Sequence, residues 1–122
     1  MKISDIYKIF NKHPNVTTDT RNIKENSIFF ALKGDNFNGN KFAKKAIEDG
    51  CNYAIIDQAE SKLNEKYILV KNVLECLQDL ASYHRDQLII PVIGITGTNG
   101  KTTSKELIHS CLSTELNTLA TD

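Results

Sequence analysis

Pro91 to Ile108 reads P-V-I-G-I-T-G-T-N-G-K-T-T-S-K-E-L-I, and the order of its parts decides the fold class. Val92, Ile93 and Ile95 make an apolar, β-branched run that stops at a glycine-rich turn, and a helical pattern starts directly behind it. Strand, turn and helix in that order are the parts of a phosphate-binding loop. Gly97 and Gly100 let the backbone curl until successive N–H groups face one anion. The helix expected from Lys101 to Thr114 brings its positive end to the same spot.

On this reading Gly97, Thr98, Asn99, Gly100, Lys101, Thr102 and Thr103 surround the phosphates of a nucleotide. Lys101 reaches the β- and γ-phosphates and the Thr102 hydroxyl holds Mg²⁺, which makes these two the candidate catalytic residues. The strict pattern G-x-x-x-x-G-K-[ST] needs glycine at position 95, where the chain has Ile95. The tighter form G-T-N-G-K-T-T remains. A glycine-rich turn with no ligand is the alternative, and Gly-Lys-Thr between a strand pattern and a helix pattern argues against it.

Working outward, 122 residues suffice for one domain with a real core, or a small domain and part of another. Lys and Arg number 15 and so do Asp and Glu, so no net field favours nucleic acid or an anionic membrane. No apolar run approaches the ~20 residues of a membrane-spanning helix. The first residues, M-K-I-S-D-I-Y-K-I-F, carry an acid and are amphipathic, unlike a secretory signal. A soluble, cytoplasmic protein is expected. Cys51, Cys76 and Cys111 are scattered and read as buried hydrophobes rather than a disulfide or zinc framework. His13, His84 and His109 stand alone and receive no chemistry.

Ahead of the loop, Ile3 to Asn11 patterns as an amphipathic helix with Ile6, Ile9 and Phe10 on one face and Ser4 as its cap. Val16-Thr17-Thr18 reads as a brief strand running into Asp19-Thr20-Arg21. A hydroxyl beside an arginine at a strand end can bind a carboxylate or phosphate, although a plain surface turn reads the same way. Ser27 to Leu32 is a continuous apolar strand, buried on both faces. Lys33 to Phe42 is rich in glycine and asparagine and reads as a long turn at the carboxyl end of that strand, either a ligand loop or a solvated one.

A helix from Phe42 to Asp49 then buries Phe42, Ala43, Ala46 and Ile47, with Gly50 at its carboxyl end. Tyr53 to Ile56 and Tyr67 to Val70 are strands, and these elements complete a small domain near residue 71. Asn72 caps the next helix with Glu75 as capping-box partner, and Val73, Leu77, Leu80 and His84, with Leu74 and Ala81, form its inward stripe. That helix and the linker to residue 90 connect the small domain to a second part at 91–122, where Asn117 to Ala120 starts another strand. One βαβ unit cannot cover both faces of a parallel sheet, so the sequence is expected to be a piece of a longer protein.

Taken together, Asp19-Thr20-Arg21, S-I-F-F-A-L-K-G with its glycine and asparagine turn, L-Q-D-L-A-S-Y-H-R, and I-P-V-I-G-I-T-G-T-N-G-K-T-T-S-K-E resemble the Mur ligases over nearly the whole chain. The resemblance implies an α/β fold, with a UDP-substrate-binding domain at 1–71 and the start of a central ATP-binding domain at 91–122. It implies ATP-dependent amide formation in peptidoglycan synthesis through an acyl phosphate. Ser-Lys-Glu after the loop and the stretch from Leu77 to Arg85 point to the branch that joins D-alanyl-D-alanine to a UDP-N-acetylmuramoyl-tripeptide. The alternatives are the sister branch that adds the third peptide residue and a non-catalytic nucleotide-binding module.

By the same match Thr20, Arg21 and Asn40 contact the uridine diphosphate. The family turn commonly reads Asp-Gly-His, whereas this chain has Asn38-Gly39-Asn40, whose amides still offer donors and acceptors. The family's further Mg²⁺-binding glutamate, its carbamylated lysine and its carboxy-terminal domain are expected past Asp122, which leaves these residues alone without turnover.

Overall fold

A computed structural model of the chain describes residues 1–21 and 23–121. It divides into two compact units, Met1–Leu88 and Ile89–Asp122.

The first unit is a four-stranded parallel sheet between two helical layers. Its strands are β1 (Asn15–Thr17), β2 (Ser27–Phe30), β5 (Tyr53–Ile56) and β6 (Tyr67–Leu69), in spatial order β1-β2-β5-β6. Register runs Val16 to Ile28, Phe29 to Ala54, and Ile55 to Ile68. Every residue of β2 is buried, as an apolar run in a sheet covered on both faces should be. Alternation along the strand then divides the core in two. Ile28 and Phe30 join Ile55 and Ile68 beneath α1 (Ile3–Lys12) and α3 (Val73–Gln87). Phe29 and Ala31 join Ala54 and Ile56 beneath α2 (Ala43–Glu48).

Helix ends follow local chemistry, with two corrections to expectation. Asn72 caps α3 by accepting from the Glu75 N–H at 3.1 Å, and Gly50 leaves α2 with φ at +116°. Ser4 does not cap α1. The helix begins at Ile3, and the Lys2 carbonyl accepts from the N–H of Asp5, so Ser4 already lies in the first turn. Within α3 the buried residues are Val73, Cys76 and Leu80, whereas Leu74 and Ala81 face solvent. Cys76 lies at three- and four-residue spacing from Val73 and Leu80, which puts all three on one stripe.

The expected connector helix therefore belongs to the first core rather than to a linker. Its outer end is clasped to α1, where the Tyr7 hydroxyl and His84 Nδ1 are hydrogen-bonded at 3.3 Å and Tyr83 packs edge-on against Tyr7.

The segment after β2 holds more structure than a turn. Lys33–Gly34 (β3) pairs antiparallel with Phe37–Asn38 (β4), and a 3₁₀ turn spans Gly39–Phe42. Phe42 is not buried by α2. It is 38% exposed and stacks on Phe37, with ring centroids 5.2 Å apart and 11° between planes.

In the second unit α4 covers Lys101–Leu112, shorter than expected by two residues. Neither Val92 to Ile95 nor Asn117 to Ala120 is a strand. A strand exists only as one side of a hydrogen-bonded pair, and no partner lies beside either segment among the described residues. Asp122, the final residue of the expected third segment, lies outside the described residues. No helix among the described residues is long and apolar enough to cross a membrane.

Candidate functional site

Two polar features carry the expected site residues, one in each unit. In the first, the turn after β1 is shaped by Thr17, whose hydroxyl donates to the Asp19 carbonyl at 2.9 Å and accepts from the Asp19 N–H at 3.2 Å. That bend presents Thr20 and Arg21 at the carboxyl end of the parallel sheet. They line a cleft of about 500 Å³ together with Thr18, Asp19, Phe29, Phe37, Phe42 and Lys45. The Arg21 guanidinium is already engaged. Its Nη2 donates to Asp19 Oδ2 at 2.6 Å and its Nε reaches both carboxylate oxygens. Hydrogen bonds from the Arg21 side chain and N–H pull the Asp19 carboxyl down to about 2, and Asp19 in turn raises the arginine.

Asn40, expected on the ligand, is not among the residues that line this cleft. Its side chain is 3% exposed and every polar atom on it is used. Nδ2 donates to Asn38 Oδ1 at 3.0 Å and to Asp57 Oδ1 at 2.9 Å. Oδ1 accepts from the N–H groups of Asp57 and Gln58 at 3.1 and 3.3 Å. The amide thus ties the turn that carries Phe37 and Phe42 to the end of β5. Gly39 tightens the same tie, since a Cβ there would sit 2.5 Å from the Leu32 carbonyl oxygen.

Asp57 completes the network. Lys33 Nζ lies 2.8 Å from Asp57 Oδ1, and the carboxylate is only 12% exposed. Burial pushes its pKa up, but the donors on Lys33 and Asn40, the charge of Lys33 and the Val73 N–H outweigh it, and the net shift is downward.

In the second unit the chain bends at Thr98 and Asn99 between two glycines at positive φ, Gly97 at +151° and Gly100 at +74°. Gly100 occupies the cap position of α4, and no side chain caps the helix. The amides of its first turn are left for another acceptor. Lys101 folds back so that its Nζ donates to the Gly97 carbonyl at 2.6 Å. The contact is exposed and made to a neutral acceptor, so exchanging it for a phosphate oxygen costs little. Thr102 and Thr103 are exposed in the first helical turn.

The comparisons fit this arrangement. Residues 13–85 match the Mur ligase family, catalytic domain, and residues 95–122 match the Mur ligase middle domain. The chain belongs to the Mur ligase family. Among relatives of this Mur ligase chain, a UDP-N-acetylmuramoyl-tripeptide–D-alanyl-D-alanine ligase of Bacillus subtilis (strain 168) is 40% identical over 102 residues, which are 82% of this chain and 22% of the relative. A UDP-N-acetylmuramoyl-L-alanyl-D-glutamate–2,6-diaminopimelate ligase of Clostridium tetani is 41% identical over 104 residues, 80% of this chain and 21% of the relative.

The crystal structure of the MurF ligase from Thermotoga maritima in complex with ADP is similar at a TM-score of 0.69 and 27% identity, covering 83% of this chain and 23% of that one. A MurF structure from Acinetobacter baumannii gives 0.70 at 32% identity, over 83% and 22%. The chain spans about a fifth of the length of the curated relatives it matches.

Sequence reasoning missed Phe37, Lys45 and Asp57. Spacing held a signal for one of them, because Lys45 follows Phe42 by three positions and so shares its helical face. Phe37 lay inside what read as an irregular turn. Asp57 marked only the end of a strand.

Proposed function

We propose that this chain supplies the uridine-nucleotide cleft and the phosphate loop of a Mur ligase that joins D-alanyl-D-alanine to a UDP-N-acetylmuramoyl-tripeptide. The observation that carries the reading is the pair of positive-φ glycines around Thr98 and Asn99, opening onto a helix whose first amides have no cap. That is the cradle an anion needs, and a side chain at either glycine would oppose its curl.

In this reading Gly97 to Thr103 hold the triphosphate of ATP. Lys101 moves from the Gly97 carbonyl onto the β- and γ-phosphates, where it offsets charge as the γ-phosphoryl leaves. No cluster of three His, Cys, Asp or Glu side chains stands ready for a metal among the described residues. Mg²⁺ would be held by the nucleotide's own oxygens with the Thr102 hydroxyl as a protein ligand. When bound, the ion neutralises phosphate charge and fixes its geometry. Thr20 and Arg21 face the uridine diphosphate group, while Asn40 holds the turn that carries Phe37 and Phe42. A cytoplasmic setting accompanies the reading.

A second reading keeps the enzyme class and changes the substrates, because the diaminopimelate ligase of Clostridium tetani is as similar as the ligase of Bacillus subtilis. Titrating the chain with UDP-N-acetylmuramoyl-tripeptide and with UDP-N-acetylmuramoyl-L-alanyl-D-glutamate, followed by NMR, separates the two. The proposal expects shifts at Thr20 and Arg21 with the tripeptide form bound more tightly; a preference for the dipeptide form transfers the assignment to the sister ligase. No shift with either removes the cleft from substrate recognition. For the loop, Lys101→Ala should weaken ATP binding by about tenfold or more with the fold intact, and unchanged binding would refute the role given to Lys101.

A further inference from the structure

The cleft at the end of β1 holds three charged side chains, and two of them cancel. Asp19 and Arg21 face each other as a two-point pair, so together they bring no net charge to the lining. An incoming phosphate that approaches this guanidinium also approaches the carboxylate, which repels it. Lys45 is the third. It enters no ion pair among the described residues, in contrast to its neighbour Lys44, which lies 3.7 Å from Glu48. Lys45 is therefore the cleft's uncompensated cation.

Its surroundings suit one kind of ligand. Phe37 and Phe42 stack on each other and are 49% and 38% exposed, which leaves apolar ring surface open toward the same cleft. A planar base has a place against those rings. An ammonium on a flexible stem then meets the anion attached to that base as a mobile point charge.

Resting on the uridine-nucleotide reading of this cleft, the geometry points to Lys45 as the residue that balances the ligand's diphosphate. Arg21 serves instead as a fixed hydrogen-bond donor whose charge Asp19 has already met. Lys45 is thus the determinant of preference for the phosphorylated ligand over the bare nucleoside.

Calorimetric titration of the chain with UDP and with uridine tests this. Lys45→Gln is expected to weaken UDP about tenfold while changing uridine by less than about twofold, and Lys45→Arg should restore most of the loss. Lys44→Gln, one position away and already paired, should leave both ligands as they were. An unchanged ratio of UDP to uridine affinity in Lys45→Gln, or an equal loss in Lys44→Gln, overturns the assignment and leaves the cleft reading standing. Failure of the unaltered chain to bind UDP at all removes the cleft reading itself, and this inference with it.

Discussion

Replacing Asn40 by alanine is the sharpest probe of the network that Asp57 completes. The side chain makes four hydrogen bonds, two as donor and two as acceptor, from a site that is 3% exposed. Alanine strands the N–H groups of Asp57 and Gln58 and removes a donor from the Asp57 carboxylate. A buried amide left unpaired costs about 1–3 kcal/mol, and a lost bond to a charged group about 1.5–3 kcal/mol. Asp57 is near enough to solvent, at 12% exposure, for water to repair part of the damage. The net expectation is about 3 kcal/mol, a large part of the ~5–15 kcal/mol that holds a typical domain.

Urea unfolding followed by tyrosine fluorescence reads this cleanly. All four tyrosines, at 7, 53, 67 and 83, lie in the first unit, and the chain has no tryptophan. With a slope of about 1 kcal/mol/M for so small a unit, the midpoint should fall by about 2–3 M. Asn40→Asp supplies the control. It keeps an acceptor for the two backbone N–H groups but sets a second carboxylate against Asp57. Near neutral pH it should therefore be as damaging as alanine. Its folded-state pKa is raised by that repulsion, so lowering the pH toward about 4 should protonate it, return a donor and recover part of the loss. A penalty below about 1 kcal/mol for Asn40→Ala, or no recovery of Asn40→Asp in acid, would refute the role given to this amide.

Other consequences can be checked more briefly. Gly39→Ala drives a Cβ to 2.5 Å from the Leu32 carbonyl oxygen, against backbone that cannot swing aside, and should lower stability by about 2 kcal/mol or more in the same urea assay. Asp57 has a folded pKa below its ordinary value, so its contribution is complete above about pH 4 and disappears as pH falls through the folded value. Asp57→Asn should accordingly flatten the acid limb of a stability–pH curve measured by thermal melting, and an unchanged limb would contradict the Lys33 pairing. Burial raises the Cys51 thiol and pushes Cys76 up to about 11, while Cys111 is exposed. Mild alkylation followed by peptide mass mapping should label Cys111 first, and early labelling of Cys76 would show that α3 does not close the core.

How much of this was readable in advance depends on where the information lies. Ser27 to Phe30 announced a strand covered on both faces because nothing polar interrupts it, and the Asn72 cap was plain from its three-residue spacing to Glu75. The glycine pair around Thr98 and Asn99 took up the positive φ expected of it. By contrast, Val92 to Ile95 carried strong strand propensity but found no neighbour, and pairing is a property of two segments rather than one. Asn40 was marked as a ligand contact because its position matched a family turn. Only the fold, by bringing Asp57 and Gln58 from 17 and 18 residues away, could show the bonds this amide makes within the protein. Phe42 likewise looked like core from its helical neighbours, and it left that face to stack on a residue five positions earlier.

The tie through Gly39 and Asn40 bears on how fast the cleft can work. Its aromatic side is fastened to the carboxyl ends of the two central strands, β2 and β5, and owes its shape to folding rather than to a visitor. A nucleotide bound there as proposed would not need to wait for a loop to settle, and little ordering would be left to oppose its capture. Association should therefore run at the pace of a simple collision-limited encounter, with selectivity between ligands expressed in how long each one stays.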